Sequence, residues 1–295
     1  MTPTRRTPAS DARLEGRGLF TDQPAAVTIR PAETGAGLLV ARPGDDPILA
    51  HVSTLSSDAP HPAFQRLAPR CTALNLDSGP LFTVEHALSA LVGLGVTDAL
   101  IEADGPELPI LDGSALPYVH ALLGAGLTDT DQPAHPLIVT EELTLADDRG
   151  GSVRVEPADD TAYTYHLDYG PAAPVPPARV SWDATPDDYA ANIAPARTYA
   201  LQSEAEQMQA LGLFRHLTPR DMLVIAPPTP DHPGGPIDNA YRFPDEPARH
   251  KLLDLIGDLA LVGRPIRARI TARRSGHALH HQVARALVAR FGHTG

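Results

Sequence analysis

The chain reads as an α+β protein built from two successive halves, each a β-sheet with helices covering one side. Two observations lead there. Short apolar runs bounded by Pro and Gly turns give way to a helical stretch, and the same succession restarts after a polar, Pro-bearing segment at 124–135. Shifting the numbering by 164 lays His250 on His86, Leu252 on Leu88, Leu255 on Leu91 and Gly257 on Gly93, with a short turn and a strand after each helix.

Taken in order, residues 1–15 read as a flexible leader. Strand patterns follow at 26–29, 37–40 and 48–52, separated by Pro31, Gly35, Pro43 and Gly44. Thr83 has the chemistry of an N-cap for a helix over 84–94, with Leu88, Leu91 and Val92 on its inner face. A strand at 99–102, a turn and cap at Asp112-Gly113-Ser114, and a helix near 117–123 complete an N-terminal domain expected at 16–126. The C-terminal domain is expected at 136–295. It opens with strands at 137–140, 152–155 and 163–166, then a helix at 203–211 and a strand at 223–225. After a Pro/Gly loop at 226–236, Glu246-Pro247 opens a long helix to about 262, Pro being harmless in a first turn. A strand at 266–272 and a helix at 277–289 close the chain.

Composition narrows the function. The single cysteine, Cys71, rules out an internal disulfide framework or a Cys-rich metal site. No apolar run approaches the ~18 residues of a membrane span, and residues 1–16 lack the apolar segment of a secretory signal. A cytoplasmic protein is expected. A net charge of −12 argues against a nucleic-acid-binding surface, so an anionic ligand must meet a local basic pocket. Lys251 is the sole lysine among 24 basic residues and stands in Arg249-His250-Lys251-Leu252-Leu253-Asp254. Arginine's planar fork does not replace a compact, rotatable ammonium.

On a helix His250 and Asp254 stack on one face, and imidazole with carboxylate suits zinc or a similar divalent cation. Glu85-His86, at a helix start in the other half, offers the third ligand and a general base beside it. Such a metal lowers the pKa of bound water to ~7. Each piece alone also reads as ordinary helix surface or first-turn chemistry. His51, His61, His135 and His232 read as structural or solvent-exposed.

Six co-linear segments carry a resemblance. They are Thr83-Val84-Glu85-His86; Glu107-Leu108-Pro109-Ile110-Leu111-Asp112-Gly113-Ser114; Ala196-Arg197-Thr198-Tyr199; Arg242-Phe243-Pro244-Asp245-Glu246; His250 through Leu259; and Ser275-Gly276-His277-Ala278-Leu279. Together they resemble the LpxC family of zinc-dependent UDP-3-O-acyl-N-acetylglucosamine deacetylases of lipid A biosynthesis. The resemblance implies a β-α-α-β sandwich of two domains with the site between them. It implies zinc (or iron(II)) held by His86, His250 and Asp254, with Glu85 as general base. His277 would be a cationic acid oriented by Asp258, Thr198 an oxyanion donor and Lys251 a substrate contact. An insert at about 194–226 would form an acyl passage lined by Tyr199, Leu201, Met208, Leu211 and Leu213. The expected partner is an acylated UDP-amino sugar and the expected state a monomer.

Four departures stand out. Phe20 replaces a usual histidine, His216-Leu217-Thr218 a usual Gly-Gly-Ser, and Leu201 a usual Phe. His280-His281 stands where Asn-Asn is common. An enzyme with altered acyl or sugar-nucleotide specificity, or a non-catalytic sugar-nucleotide-binding relative, therefore stays open beside the favoured reading.

Overall fold

The computed structural model describes residues 4–170, 173–214, 216–219, 222–231 and 234–292. The first half contains β1 (Thr4–Pro8), β2 (Ala12–Arg17), β3 (Pro24–Pro31), β4 (Leu38–Ala41) and β5 (Ile48–Leu49). A hairpin follows, β6 (Ala73–Leu76) and β7 (Gly79–Phe82), then α1 (Glu85–Gly93), β8 (Ala99–Asp104), α2 (Leu116–Ala125) and β9 (Leu127–Pro133). The second half opens with β10 (Leu137–Ile138), β11 (Leu143–Ala146), β12 (Ser152–Glu156), β13 (Ala162–Leu167) and β14 (Ala178–Trp182). Next come α3 (Pro186–Asp188), which runs into a π-helical turn, β15 (Tyr199–Leu201), α4 (Gln202–Ala210), β16 (Leu223–Ala226) and β17 (Gly235–Pro236). The chain ends with α5 (Glu246–Leu259), β18 (Ile266–Arg267), β19 (Arg269–Arg273) and α6 (His277–Phe291).

The α+β class holds, and the two main sheets share one topology. The first has the order β2-β3-β8-β4-β5 and the second β11-β12-β19-β13-β14. Each is antiparallel except at one pair, β4 with β8 and β13 with β19. In both, the central helix is preceded by an inserted piece of smaller sheet: β6–β7 before α1, and β15–β17 before α5.

Helices α1 and α5 pack directly on one another, α1 against α2 and α5 against α6. On the outer sides α2 meets β2, α5 meets β13 and β14, and α6 meets β11 and β12. The helices thus lie between the sheets. In α1 only Val92 escapes full burial, and α5 is buried except at Arg249 and Lys251. Both helices are thus buried nearly all round, so the polar residues on them are there for a reason other than solubility.

Two glycines permit this closeness. A Cβ on Gly93 would stand 2.3 Å from the Tyr189 ring, and one on Gly257 would stand 2.1 Å from the backbone oxygen of Glu85. The His86/His250 correspondence and Gly257 therefore fall on a real helix crossing, whereas Gly93 seats α1 against the π-helical turn.

Three expectations are corrected. Residues 4–15 are not a mobile leader: β1 pairs antiparallel with β9, and β2 is an edge strand of the first sheet. Arg5 donates to the buried Asp98 at 2.8 Å and Arg6 to Asp129 at 2.6 Å, anchoring the ribbon. The polar segment at 124–135, expected as the break between the two halves, supplies β9. Its residues are mostly exposed, which is why its polar composition mimics a loop. Thr83 is not the N-cap of α1. It adopts a left-handed φ of 59°, and its hydroxyl donates to Glu107 at 2.8 Å, leaving Val84 at the cap.

Candidate active site

A cavity of about 200 Å³ opens where α1, α5, the start of α6 and the β15–β16 insert meet. It is lined by Glu85, His86, Thr198, Tyr199, His250, Lys251, Asp254 and His277, all expected at the site. Asp258 stands behind His277.

The second and third turns of α5 place His250 and Asp254 one above the other, and the first turn of α1 brings His86 across the crossing. His250 Nε2 lies 3.4 Å and His86 Nε2 3.8 Å from Asp254 Oδ1. The ligand atoms of all three residues fall within 4.8 Å of one another, so the group can hold a metal ion. Donors about 2.0–2.1 Å from a tetrahedral ion stand roughly 3.4 Å apart, so the spacing fits a shared cation better than direct hydrogen bonds. His250 Nδ1 faces the Ala196 carbonyl at 3.1 Å, which puts the proton there and leaves Nε2 as a lone pair toward the group. Burial lowers both imidazole pKa values, His86 to about 3, keeping them neutral as ligation requires.

Asp254 serves two neighbours. Its Oδ1 faces the histidines and its Oδ2 accepts from Lys251 Nζ at 3.0 Å. Burial alone would raise the Asp254 pKa, but Lys251 and the histidines hold it well below the usual range. Lys251 also lies 5.8 Å from the Tyr199 ring centroid.

Glu85 is buried beside this group, and burial pushes its pKa up to about 8, aided by Asp258 and Asp254 and opposed by His277. His277 shows the converse. Burial lowers its pKa, yet the contact of Nδ1 with Asp258 Oδ2 at 2.8 Å outweighs it and raises the value to about 9. A carboxyl able to take a proton and an imidazolium able to give one therefore face one cavity.

Several supporting contacts were not legible in the sequence, although Glu107, Gly113, Thr198 and Glu246 stand in the resembling segments. Thr72 on the β6 hairpin donates its backbone N–H to Glu85 Oε2 at 3.0 Å and its hydroxyl to Asp258 Oδ1, joining the two. Glu107 accepts from Phe20 N, from Thr21 N and Oγ1, and from Thr83 Oγ1, pinning the 18–21 loop to the start of α1. Glu246 accepts from Arg197 N and Nε and from Arg242 N, tying β15 to α5. Thr198 N donates to the Gly113 carbonyl at 2.7 Å, where φ of +81° suits glycine. The motifs containing Gly113 and Thr198 thus meet in space.

The acyl-passage expectation needs correction in part. Tyr199 and Met208 line the cavity, joined by Leu19, Phe20, Phe64, Phe214 and Met222. Leu201 packs against the main core, Leu213 is buried in the second apolar cluster, and Leu211 is half exposed; none lines the cavity. Leu201 and Leu213 alternate with or follow the lining residues and face the supporting layer, while Leu211 faces outward. Phe20 joins the second cluster, its ring 5.7 Å from Phe64 and 6.0 Å from Phe214. His232 and positions 215, 220 and 221 of the insert lie outside the described residues.

Comparison with known proteins agrees with this picture. A family model described as UDP-3-O-acyl N-acetylglycosamine deacetylase, LpxC, matches residues 5–289. The UDP-3-O-acyl-N-acetylglucosamine deacetylase of Myxococcus xanthus is 32% identical over 291 residues, covering 97% of this chain and 86% of its own. The proteins of that name from Thermosynechococcus vestitus and Synechocystis sp. are 34% and 33% identical, covering 96% and 92% of this chain and 94% of each of theirs. With the match running through every element that builds the cavity, the chain belongs to the LpxC family of deacetylases.

Proposed function

We propose that this chain is a zinc-dependent deacetylase acting in the cytoplasm, as a monomer, on a UDP-3-O-acyl-N-acetylglucosamine in lipid A biosynthesis. The observation that carries the reading is the convergence of His86, His250 and Asp254 beside an unusually basic carboxyl and a persistently cationic imidazole. Zinc would be held by those three residues, and when bound it polarises the acetyl carbonyl and makes a water nucleophilic near neutral pH.

The chain's own groups supply the proton transfers. Glu85 takes a proton from the attacking water as its oxygen bonds the acetyl carbon. Thr198 donates its hydroxyl to the oxygen that gains charge. His277, held at Nδ1 by Asp258, presents Nε2–H and protonates the departing nitrogen as the C–N bond breaks, giving acetate and a free amine. Lys251 and Arg70, cationic groups lining the cavity, answer the need for a local basic pocket in an acidic chain. Incubating the purified protein with the acylated UDP-N-acetyl sugar is expected to release one acetate per free amine, with about one zinc per chain by elemental analysis. Absence of release from any acyl length would reject the reading.

The fall at high pH follows from His277. Its folded pKa lies above the ordinary histidine value, so the cation and its attraction to Asp258 are fully present below about pH 6.5 and lost as pH rises through about 9. Turnover is expected to fall over that upper range. His277→Gln should lose most of the rate together with this basic limb, as a pH–rate profile checks.

A specific feature favours altered acyl preference. Phe214 and Met222 line both the main cavity and a second one of about 170 Å³, bounded by Gln202, Gln209 and Ile237, so they form a wall between the two. An acyl chain entering past Phe20 meets that wall. Met222→Ala should raise kcat/KM for long acyl chains by about tenfold while changing short-chain turnover little. Competition assays between chain lengths measure this, and equal gains for all lengths would remove the wall from the account.

A further inference from the structure

Asp258, fully buried on α5, is surrounded by donors beyond those the proton transfers use. His280, one helical turn after His277 on α6, brings Nδ1 to 2.7 Å from the same Oδ2 that His277 holds. The other His280 nitrogen, Nε2, lies 2.8 Å from Ser275 Oγ, and the Ser275 carbonyl accepts from Tyr165 OH at 2.6 Å. Thr72 Oγ1 donates to Oδ1 and stands 2.7 Å from His281 Nε2.

One proton assignment satisfies the His280 contacts without a second buried cation. The Ser275 hydroxyl donates to Nε2, and the imidazole proton sits on Nδ1, pointing at Asp258. Burial, which lowers the His280 pKa, agrees with a neutral ring. A carboxylate with donors from α6 on one oxygen and from Thr72, just ahead of β6, on the other cannot rotate about its Cβ–Cγ bond without breaking one of them.

We propose that His280 is a positioning residue for the acid half of the reaction: clamped by Ser275, its Nδ1–H fixes the Asp258 carboxylate in the orientation that holds His277 toward the cavity. This rests on the reading of His277 as proton donor given above. The role is set by the donor, not the ring. A carboxamide Nδ2 is one bond beyond Cγ, as is an imidazole Nδ1, so asparagine retains the donor where leucine does not.

The test uses the full-length, metal-loaded protein. His280→Leu is expected to lower kcat on the order of tenfold with KM within about twofold, as loss of an orienting partner commonly does. His280→Asn should recover to within about threefold of the parent. Ring 15N spectra of the parent should show His280 as the Nδ1–H tautomer at neutral pH, and Ser275→Ala should weaken that preference. A folded His280→Leu protein with parental kcat overturns the proposal, as does an Nε2–H tautomer in the parent. If His280→Leu does not fold, the spectra and the Ser275→Ala variant decide. If no acylated substrate is turned over by the parent, the deacetylase reading fails, while the tautomer still tells whether His280 clamps Asp258.

Discussion

Replacing Glu85 with Gln is expected to reduce turnover by about 10²–10⁴-fold while leaving metal content unchanged. The substitution is nearly isosteric, and the carboxamide oxygen still accepts from Thr72 N–H, so the start of α1 has no reason to move. Zinc content should hold because His86, His250 and Asp254 are untouched. What disappears is the capacity to take a proton, which burial and neighbouring carboxylates have tuned upward. KM should change little, since Glu85 is not assigned a binding role. Steady-state kinetics with elemental analysis of the same sample checks both halves of the expectation. A variant retaining more than a tenth of the parental rate would move the base elsewhere.

Gly257→Ala should be strongly damaging. The added carbon would lie 2.1 Å from the Glu85 carbonyl oxygen and 2.8 Å from its carbon, both backbone atoms that no rotamer change can move. Helices α1 and α5 must separate, at a cost of about 1–3 kcal/mol or more for overpacking a tight core. For a chain of this size that lowers Tm by several degrees. The same separation pulls Glu85 and His86 away from His250 and Asp254, so zinc affinity should fall at least about tenfold. Calorimetry with and without metal, plus a chelator competition, measures the two effects. Gly124→Ala on α2, where a Cβ meets nothing within 4 Å, is the control and should be neutral or mildly stabilising. If both variants behaved alike, close helix approach would not be what sets the ligand geometry.

The cluster of candidate metal ligands was the most legible part of the sequence because its signals are local. His250 and Asp254 are four residues apart on one helix, and Glu85 and His86 are adjacent at another helix start, whereas Ser275-Gly276-His277 reads locally as no more than a helix cap and gains its role from the resemblance. The support beneath them was not legible. Thr72 reaches Asp258 across 186 residues and Glu107 reaches Phe20 across 87, and nothing near either residue announces a partner. The β1–β9 ribbon failed for a related reason. Its strands are distant in sequence and largely exposed, so neither periodicity nor apolar content marked them. Thr83 followed the usual preference for a helix cap until a buried carboxylate claimed its hydroxyl. The leucines of the insert were assigned by hydrophobicity alone, which does not separate a wall from its backing.

The two inserted pieces occupy the same place in the repeated topology, each immediately ahead of a central helix. One carries Thr72 and leads into Glu85; the other carries Tyr199 and Met222 and leads toward His250. Much of what shapes the cavity is therefore appended at two equivalent joints, with Leu19 and Phe20 added from the β2–β3 loop, while the twinned sheets and crossed helices remain a fixed chassis. Such an arrangement lets the molecule's diet drift through changes in length and side chains at those joints without disturbing the chemistry beneath.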